Sequence, residues 1–304
     1  MSGWRPEHAD QVCAAYDVLR GSAGVVAPAE YLYRHWYAVR APHAVPRRRW
    51  DAPVSGTARA AHGAAAHWAV EDSEVVAMGI AGVVVVATPR GRRALCRGEY
   101  VTTQGRPGFP PVVGDRVRAL ARNGAMTQEG WWRTWGSDWD PQAPSAPLVR
   151  VYLRPAPGAV AQLVHAVTSA LSDTGEWLLK VAVTPEELLR PDACVAYLAG
   201  AQGDRLRDVV TGACAGLTAG GPPPLTERLG DGVGWAQDPG TGESFGEVRC
   251  AAIAAAYERL GDAAGGEARL ADEVWLEVVA REFGRRGIQT GAPHRTPVLV
   301  GANP

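Results

Sequence analysis

Lys180 is the residue of this chain whose type points most directly to chemistry. It is the only lysine, since the other 30 of the 31 Lys and Arg residues are arginines. Arginine keeps its proton under ordinary conditions, whereas a lysine in an apolar setting or near other cations can lose it and act as a base. The apolar run Trp177-Leu-Leu-Lys-Val-Ala-Val183 is such a setting. The alternative is a coding bias against lysine in an Ala-, Gly- and Arg-rich chain, with one chance survivor.

Charged and hydroxyl side chains precede and follow this lysine. Arg150, Tyr152 and Arg154 recur at every second position and therefore share one face of a predicted strand. Tyr152 can donate a proton, or it can be a buried, hydrogen-bonded tyrosine. Arg190 and Asp192 have the same spacing, and they act on a substrate or form a structural ion pair.

The segment Glu243-Ser-Phe-Gly246 predicts the start of a helix. Ser244 is expected to cap this helix, and Glu247 completes a capping box three residues later. A helix start also offers free N–H groups to phosphate, so the two roles are compatible. Arg249 lies one turn further on and can face the same anion. Thr226 follows three prolines and either positions a substrate or begins a turn.

The composition argues against several classes of function. With 304 residues and a net charge of −1, the chain lacks the basic excess that nucleic-acid and membrane-surface binders need. No apolar run approaches the ~20 residues of a membrane span, and no secretory signal is visible, so we expect a cytoplasmic protein. The five cysteines never form C-x-x-C, and the seven histidines show no H-E-x-x-H pairing. We therefore expect reduced core thiols, no metal and no cofactor.

The first half of the chain predicts helices followed by short strands. Apolar residues have helical spacing at 7–20 and 29–39. A Pro- and Arg-rich connector at 41–55 contains Arg47-Arg-Arg49, which is a solvated loop or a contact for a phosphorylated or acidic partner. Short apolar runs separated by Gly and Pro predict strands at 67–71, 75–78, 82–88, 92–97 and 115–121. The tryptophans at 131, 132, 135 and 139 predict a packed wall or a peptide-binding surface.

A Pro-rich stretch at 141–147 predicts a boundary between two lobes. Residues 1–145 form a helical and small β lobe, and residues 146–304 form the lobe that carries the site. The second lobe has a long polar loop at 219–243, which is of a length that is usually functional or disordered. Its predicted strands are at 149–153, around Lys180 and at 192–198, and its helices at 159–171, 204–217, 245–260 and 270–286. Because strands and helices alternate only partly, we predict an α+β fold with a mixed sheet flanked by helices.

Three segments of the second half resemble the HopA effector family in order and spacing. They are Arg150-Val-Tyr-Leu-Arg-Pro155, then Leu179-Lys-Val181 with Arg190-Pro-Asp-Ala-Cys-Val-Ala-Tyr197, and the run 224–246 that leads to Arg249-Cys250. The aromatic segment Tyr31-Leu-Tyr-Arg-His-Trp-Tyr37 and the segment Gly287-Ile-Gln-Thr-Gly-Ala-Pro293 are also similar to that family. The block 226–249 is the most specific part. The chain departs from the pattern at Trp235 and Gln237, where the family has Leu and an acid.

The resemblance implies a lyase of peptide natural-product biosynthesis. HopA-like proteins of class V lanthipeptide and thioamitide clusters work beside an aminoglycoside-phosphotransferase-like kinase that phosphorylates a precursor peptide. The HopA-like partner then expels phosphate from phospho-Ser or phospho-Thr, leaving dehydroalanine or dehydrobutyrine. Elimination needs a base for the α-proton and cations for the leaving phosphate. On this hypothesis the catalytic residues are Lys180, Tyr152 and Asp192, and the substrate-binding residues are Arg150, Arg154, Arg190, Thr226, Glu243, Ser244 and Arg249.

Two other functions stay open at this point. The first is a non-catalytic binding or scaffold protein that engages a host protein, or that recruits the precursor or the kinase. A pure binder would have no need to avoid arginine at Lys180. The second is a cyclase that adds a Cys thiol to the dehydro residue with the same proton-handling groups. For the lyase, a separate kinase is expected as partner, because the chain has no G-x-x-x-x-G-K-[ST] phosphate loop.

Overall fold

The computed structural model describes most of the chain, in sixteen ranges. These are residues 3–21, 25–40, 54–61, 72–79, 82–88, 91–95, 100–106, 108–119, 126–128, 130–136, 138–139, 144, 147–172, 174–239, 242–261 and 270–295. The helices are α1 Pro6–Arg20, α2 Pro28–Leu32, α3 Val54–Ala61, α4 Val160–Ala170, α5 Gly203–Ala213, α6 Phe245–Glu258 and α7 Asp272–Arg285. A π-helical turn, Tyr33–Tyr37, continues α2, and a 3₁₀ turn spans Glu187–Leu189. None of the helices in these ranges combines the length and apolar character that a membrane crossing requires.

Two antiparallel sheets accompany the helices. The strands are β1 Asp72–Met78, β2 Val84–Thr88, β3 Gly91–Leu95, β4 Tyr100–Gln104, β5 Arg116–Ala119, β6 Met126–Gln128, β7 Trp131–Trp135, β8 Leu148–Leu153, β9 Trp177–Ala182, β10 Cys194–Ala199, β11 Glu227–Gly230 and β12 Val233–Gln237. The small sheet has the order β3-β2-β1-β5-β4, and the large sheet has the order β11-β12-β8-β10-β9-β7-β6. All pairings between these strands are antiparallel. The predicted α+β class is confirmed.

The large sheet separates two apolar cores, because successive side chains of a strand point to opposite faces. On β8, Val149, Val151 and Leu153 face a core that they share with α3, α4 and α5. Tyr152 faces the other core, which is built with α1, α2, α6 and α7. Each fully buried aliphatic or aromatic side chain stabilises the fold by roughly 1.5–3 kcal/mol. The strand that carries Arg150 and Tyr152 is therefore held from both sides.

The predicted elements are mostly confirmed, with ends shifted by a few residues. The helix predicted at 29–39 is α2 continued by the π-helical turn. The prediction of a long loop at 219–243 is wrong, since β11 and β12 form a hairpin that extends the large sheet beyond β8. Gly234 interrupts the alternation of side chains by which β12 could be recognised in the sequence. A Cβ at this position would collide with Thr226. The strand predicted at 67–71 and most of the connector at 41–55 lie outside the described residues.

Residues from both halves of the chain meet in the large sheet and in one core. β7 pairs with β9, with Trp132 opposite Val181. The ring of Tyr16 on α1 lies 4.9 Å from the ring of Trp275 on α7. The division into lobes at residue 146 stays a prediction, and the tryptophans at 131, 132 and 135 belong to a strand of the large sheet.

α6 begins where the capping box predicts. Ser244 Oγ accepts a hydrogen bond from the N–H of Glu247 at 3.1 Å, and Glu247 Oε2 accepts one from the N–H of Ser244 at 2.6 Å. In the first turn of α6, a Cβ at Gly246 would overlap the ring of Tyr37. The close approach of the π-helical turn to α6 therefore requires glycine at this position.

Four charged or titratable side chains join α1, the hairpin and the C-terminal segment. Arg5 donates to Glu227 Oε2 at 2.7 Å, and His294 Nδ1 lies 3.3 Å from the same oxygen. His8 and His294 are both buried. Burial lowers the pKa of His294 to about 4 and also lowers the pKa of His8, and Arg5 acts in the same direction on both. Both imidazoles are therefore neutral at neutral pH.

Gly246→Ala should destabilise the protein by about 1–3 kcal/mol, because the added methyl group has to displace the ring of Tyr37. Gly212→Ala on α5 is the matched control, since a Cβ there meets open space. That change should stabilise the protein by about 0.5–1 kcal/mol through the entropy of the unfolded chain. Urea unfolding of the two variants measures both effects. Equal changes in both variants would contradict the close contact between Gly246 and Tyr37.

Acid should destabilise the protein through His294. Its pKa is 6.5 in the unfolded chain and about 4 in the fold, so the unfolded state binds the proton more readily. The contribution of the neutral ring to stability is complete above pH 6.5 and is lost as the pH falls towards 4. His294→Gln should remove this part of the pH dependence, whereas His35→Gln, at an exposed histidine, should leave it. Chemical unfolding of the three proteins between pH 4 and 8 measures the difference, and parallel curves for all three would overturn the prediction.

Candidate functional site

Lys180 lies on β9, on the face of the large sheet that carries Tyr152. It stands between Arg133 of β7 and Val195 of β10. Its Nζ is 4.3 Å from the ring centroid of Trp131 and 5.7 Å from that of Tyr197. The side chain is half-buried, and no carboxylate among the described residues pairs with it. Lys180 is thus a cation held by aromatic faces.

Each of these two rings also contacts an arginine. The guanidinium carbon of Arg190 is 5.6 Å from the centroid of Trp131, and that of Arg150 is 5.1 Å from the centroid of Tyr197. Aromatic faces attract cations, by about 0.5–2 kcal/mol for each contact. We call the series Arg190, Trp131, Lys180, Tyr197 and Arg150 the cation row.

Arg150 has its own counterion. The residue is only 6 % exposed. Its Nε donates to Asp238 Oδ2 at 2.6 Å, and its Nη2 donates to the carbonyl of Glu243 at 3.1 Å. Burial acts to lower the pKa of Arg150, but Tyr197, Tyr152 and Asp238 outweigh burial and the pKa is raised. Arg150 is therefore a permanent charge that is already neutralised.

Arg190 and Asp192 form the ion pair that their spacing allows. Arg190 donates from Nε to Oδ1 at 2.8 Å and from Nη2 to Oδ2 at 2.7 Å. Glu187 accepts from Nη1 at 2.6 Å, and Tyr33 of the π-helical turn donates to Asp192 Oδ2 at 3.0 Å. Burial raises the pKa of Tyr33, and Asp192 raises it further. Asp192 thus holds Arg190 in place, and both of its oxygens are occupied.

Tyr152 does not reach Lys180. Val195 of β10 lies between them in the row of paired residues, so their backbones are about 10 Å apart. Tyr152 is buried, and burial raises its pKa to about 12. The tyrosine beside Lys180 is Tyr197, which is half-buried.

The remaining predicted residues lie outside the cation row. Arg249 is fully buried and donates to the carbonyl of Pro293 from Nε at 3.1 Å and from Nη2 at 2.7 Å. Burial lowers the pKa of Arg249 to about 10. Arg154 is half-buried beside Gly220. Thr226 donates to the carbonyl of Pro223 at 2.6 Å, which is the turn role that its sequence context allows.

Three of the four arginines predicted for phosphate already donate to groups of the fold. Arg150 and Arg190 have carboxylate partners, Arg249 has the carbonyl of Pro293, and Arg154 lies beside Gly220. Ser244 caps α6, and Glu243 offers its carbonyl to Arg150. Substrate binding by these six residues and by Thr226 stays a prediction.

Sequence reasoning missed three neighbours of Lys180, namely Arg133, Trp131 and Tyr197. Tyr197 ends one of the family-like segments, and Trp131 belongs to the tryptophan cluster, so both carried a signal. No feature of the sequence pointed to Arg133, because its position opposite Lys180 depends on the pairing of β7 with β9. No group of three or more His, Cys, Asp or Glu side chains within the described ranges is arranged to hold a metal ion.

A family model and two solved structures match this chain. The model of the HopA1 effector protein family matches residues 123–295. The solved structures of two effector proteins, from Pseudomonas syringae pv. tomato strain DC3000 and pv. syringae strain 61, are similar with a TM-score of 0.51 and 14 % identity. Each comparison covers 96 % of this chain, and 99 % and 100 % of those chains. Such a likeness shows a common fold. No curated protein matches the sequence.

Proposed function

Because the chain belongs to the HopA1 effector protein family, we propose that it is a lyase that removes phosphate from phospho-Ser or phospho-Thr of a ribosomally made precursor peptide, in lanthipeptide biosynthesis. The observation that carries the proposal is the setting of Lys180. The only lysine of the chain lies half-buried between two aromatic rings, without a carboxylate partner among the described residues. An arginine would supply the same charge there. What lysine adds is a nitrogen that can accept a proton.

The proposed reaction is a β-elimination. Lys180 first releases its own proton to solvent, and its amine then accepts the proton on the α-carbon of the phosphorylated residue. The electron pair of that C–H bond forms the double bond between the α- and β-carbons. The bond between the β-carbon and oxygen breaks, and phosphate leaves with its electron pair. Phosphoserine yields dehydroalanine, and phosphothreonine yields dehydrobutyrine.

Tyr197 replaces Tyr152 as the acid in this proposal. Its ring lies beside Lys180 Nζ, and its hydroxyl makes no hydrogen bond to any described residue. A hydroxyl in that position can donate a proton to the leaving phosphate oxygen. Asp192 contributes indirectly, because it holds Arg190 against the ring of Trp131.

A separate kinase is the proposed partner. The precursor has to be phosphorylated before elimination, and the sequence has no phosphate loop of the G-x-x-x-x-G-K-[ST] type. The aminoglycoside-phosphotransferase-like kinase implied by the family resemblance would supply this step.

A non-catalytic peptide-binding protein is the second candidate. Arg150 and Arg190 are both neutralised by carboxylates, which reduces the positive field available to a leaving phosphate. Trp131, Trp139 and Tyr197 are half-buried, and the rings of Trp139 and Tyr197 meet edge to face at 6.4 Å. Partly exposed aromatic side chains of this kind also suit the recognition of a peptide without chemistry.

Lys180→Arg should abolish elimination while binding of the phosphorylated peptide survives. The guanidinium keeps the charge but cannot accept the α-proton, and loss of a general base costs ~10²–10⁴-fold in rate. Kinase-phosphorylated precursor is given to wild type and variant, and loss of phosphate is followed by mass spectrometry. The chain with ATP alone should leave unphosphorylated precursor unchanged in mass.

Arg116→Lys, at an exposed cation of the small sheet, is the control and should retain the wild-type rate. The thermal transitions of both variants show whether they fold. Elimination by folded Lys180→Arg at the wild-type rate would show that Lys180 is not the base. A wild-type protein that binds the phosphopeptide and never releases phosphate would favour the binding protein.

Tyr197→Phe should slow elimination by ~10²-fold or more, because the leaving phosphate loses its proton donor. Tyr152→Phe removes the hydroxyl that lies two strands from Lys180 and should keep the rate. Single-turnover assays with the same phosphopeptide measure both variants. A slow Tyr152→Phe beside an unaffected Tyr197→Phe would reverse the assignment.

A further inference from the structure

A group of apolar side chains lies beside Lys180 on the same face of the large sheet. Leu178 precedes Lys180 on β9 and shares its face, because alternate residues of a strand point to the same side. Its neighbours across the strands are Trp135 of β7 and Tyr197 of β10. The ring of Trp139 meets the ring of Tyr197 edge to face at 6.4 Å. We call Trp135, Leu178, Trp139 and Tyr197 the apolar patch.

The apolar patch is only partly covered by the fold. All four side chains are half-buried, and Tyr197 is the one residue of β10 that is not buried. Leu178 and Trp139 belong to neither of the two apolar cores that the described residues form. A contiguous apolar surface beside a candidate site is typical of ligand recognition. Covering it with an apolar group of a ligand would remove both surfaces from water, which is favourable.

The charge next to the patch indicates which ligand it fits. Lys180 Nζ lies 5.7 Å from the ring centroid of Tyr197, so a positive charge borders the apolar surface. A cationic ligand would be repelled there, and a free inorganic anion would gain nothing from Leu178 or Trp139. A ligand that uses both features carries an anionic group and an apolar group a short distance apart. A phosphopeptide with an apolar residue near its phosphorylated residue has this composition.

The distance between the two features corresponds to a definite spacing along a peptide. Leu178 and Lys180 are two residues apart on β9, which is about 6.4–6.8 Å at the rise of a strand. An extended peptide presents every second side chain on one side, at that same distance. The side chain between them points away. A peptide whose phosphorylated residue lies at Lys180 therefore places its second neighbour, and not its first, over Leu178.

We propose that the apolar patch is a specificity subsite, which binds an apolar side chain two positions from the phosphorylated Ser or Thr. This step rests on the proposed function, because it takes Lys180 as the place of the phosphorylated residue. It adds a substrate class to that function, namely phosphopeptides with an apolar residue at that distance. Phosphorylated residues with polar side chains at both of these positions are the poorer ligands.

The test compares two short synthetic peptides by fluorescence anisotropy on the full chain. One has leucine and the other glutamine at the second position on each side of the central residue. That residue is the phosphonate analogue of phosphoserine, in which carbon replaces the bridging oxygen, so binding is measured without elimination. Wild type should bind the leucine peptide about tenfold more tightly, which is the contribution of a largely buried leucine side chain.

Two variants locate this preference. Leu178→Thr keeps a residue that suits a strand but removes most of the apolar surface, and Trp139→Ala removes a ring outside the strands. Each should lower the preference to about threefold or less. Val76→Thr is the matched control, because Val76 is a half-buried residue of β1 in the small sheet, and it should keep the full preference.

Release of phosphate from the corresponding phosphoserine peptides, measured in parallel, separates the subsite from the reaction. Equal binding of the leucine and glutamine peptides by wild type overturns the subsite, and so does a full preference in both patch variants. If phosphate is still released in that case, the lyase stands without this subsite. A preference that depends on Leu178 and Trp139 in a protein that never releases phosphate supports the subsite and overturns the lyase. If Leu178→Thr fails to fold, Trp139→Ala decides.

Discussion

The guanidinium of Arg150 is buried on the large sheet, and its charge is balanced by Asp238 just beyond β12. It donates a second time to the carbonyl of Glu243, directly before the N-cap of α6. Its remaining face lies on the ring of Tyr197. One buried cation therefore ties the centre of the sheet, the end of the hairpin and the start of the covering helix. Removing one partner of such a buried pair typically costs about 3–5 kcal/mol, because the other charge is left uncompensated.

The two faces of the large sheet have different roles. One packs on helices and stabilises the fold, and the other carries the candidate site. One face is apolar from β7 to β12 and packs on α3, α4 and α5. On the other face the burial of the side chains decreases along the sheet. Arg150 and Tyr152 are buried, whereas Tyr197, Lys180 and Trp131 are half-buried. Arg150 on the buried part is committed to the fold, whereas Lys180 on the half-buried part has no carboxylate partner among the described residues. The candidate site lies at this margin, where water and protein both reach the side chains.

Family membership defines the fold of this protein more closely than its chemistry. The two effector structures share the architecture at 14 % identity, and one fold can carry unrelated functions. The proposal of a lyase therefore depends on particular side chains, above all on a lysine in a chain that otherwise uses arginine. The cation row and its aromatic rings are the physical basis on which the enzyme and the peptide-binding protein can be told apart.

Local features of the sequence determined much of this protein before its tertiary structure was known. Helical periodicity placed α1, α4 and α6, the capping box located the start of α6, and the single lysine marked the centre of the candidate site. These signals act over a few residues, so one stretch of sequence contains them. The hairpin of β11 and β12 was not predicted, because Gly234 interrupts the alternation that marks a strand.

Only the tertiary structure decided which charged groups meet. The spacing of Arg150 and Arg154 predicts a common face, but it does not show that Asp238 neutralises the first of them. The pairing of Arg133 with Lys180, and the choice of Tyr197 over Tyr152, depend on the register of strands that are far apart in the chain. Register is set by the packing of whole faces and not by any one segment. For that reason the sequence alone pointed to Lys180, whereas the residues next to it could be identified only from the tertiary structure.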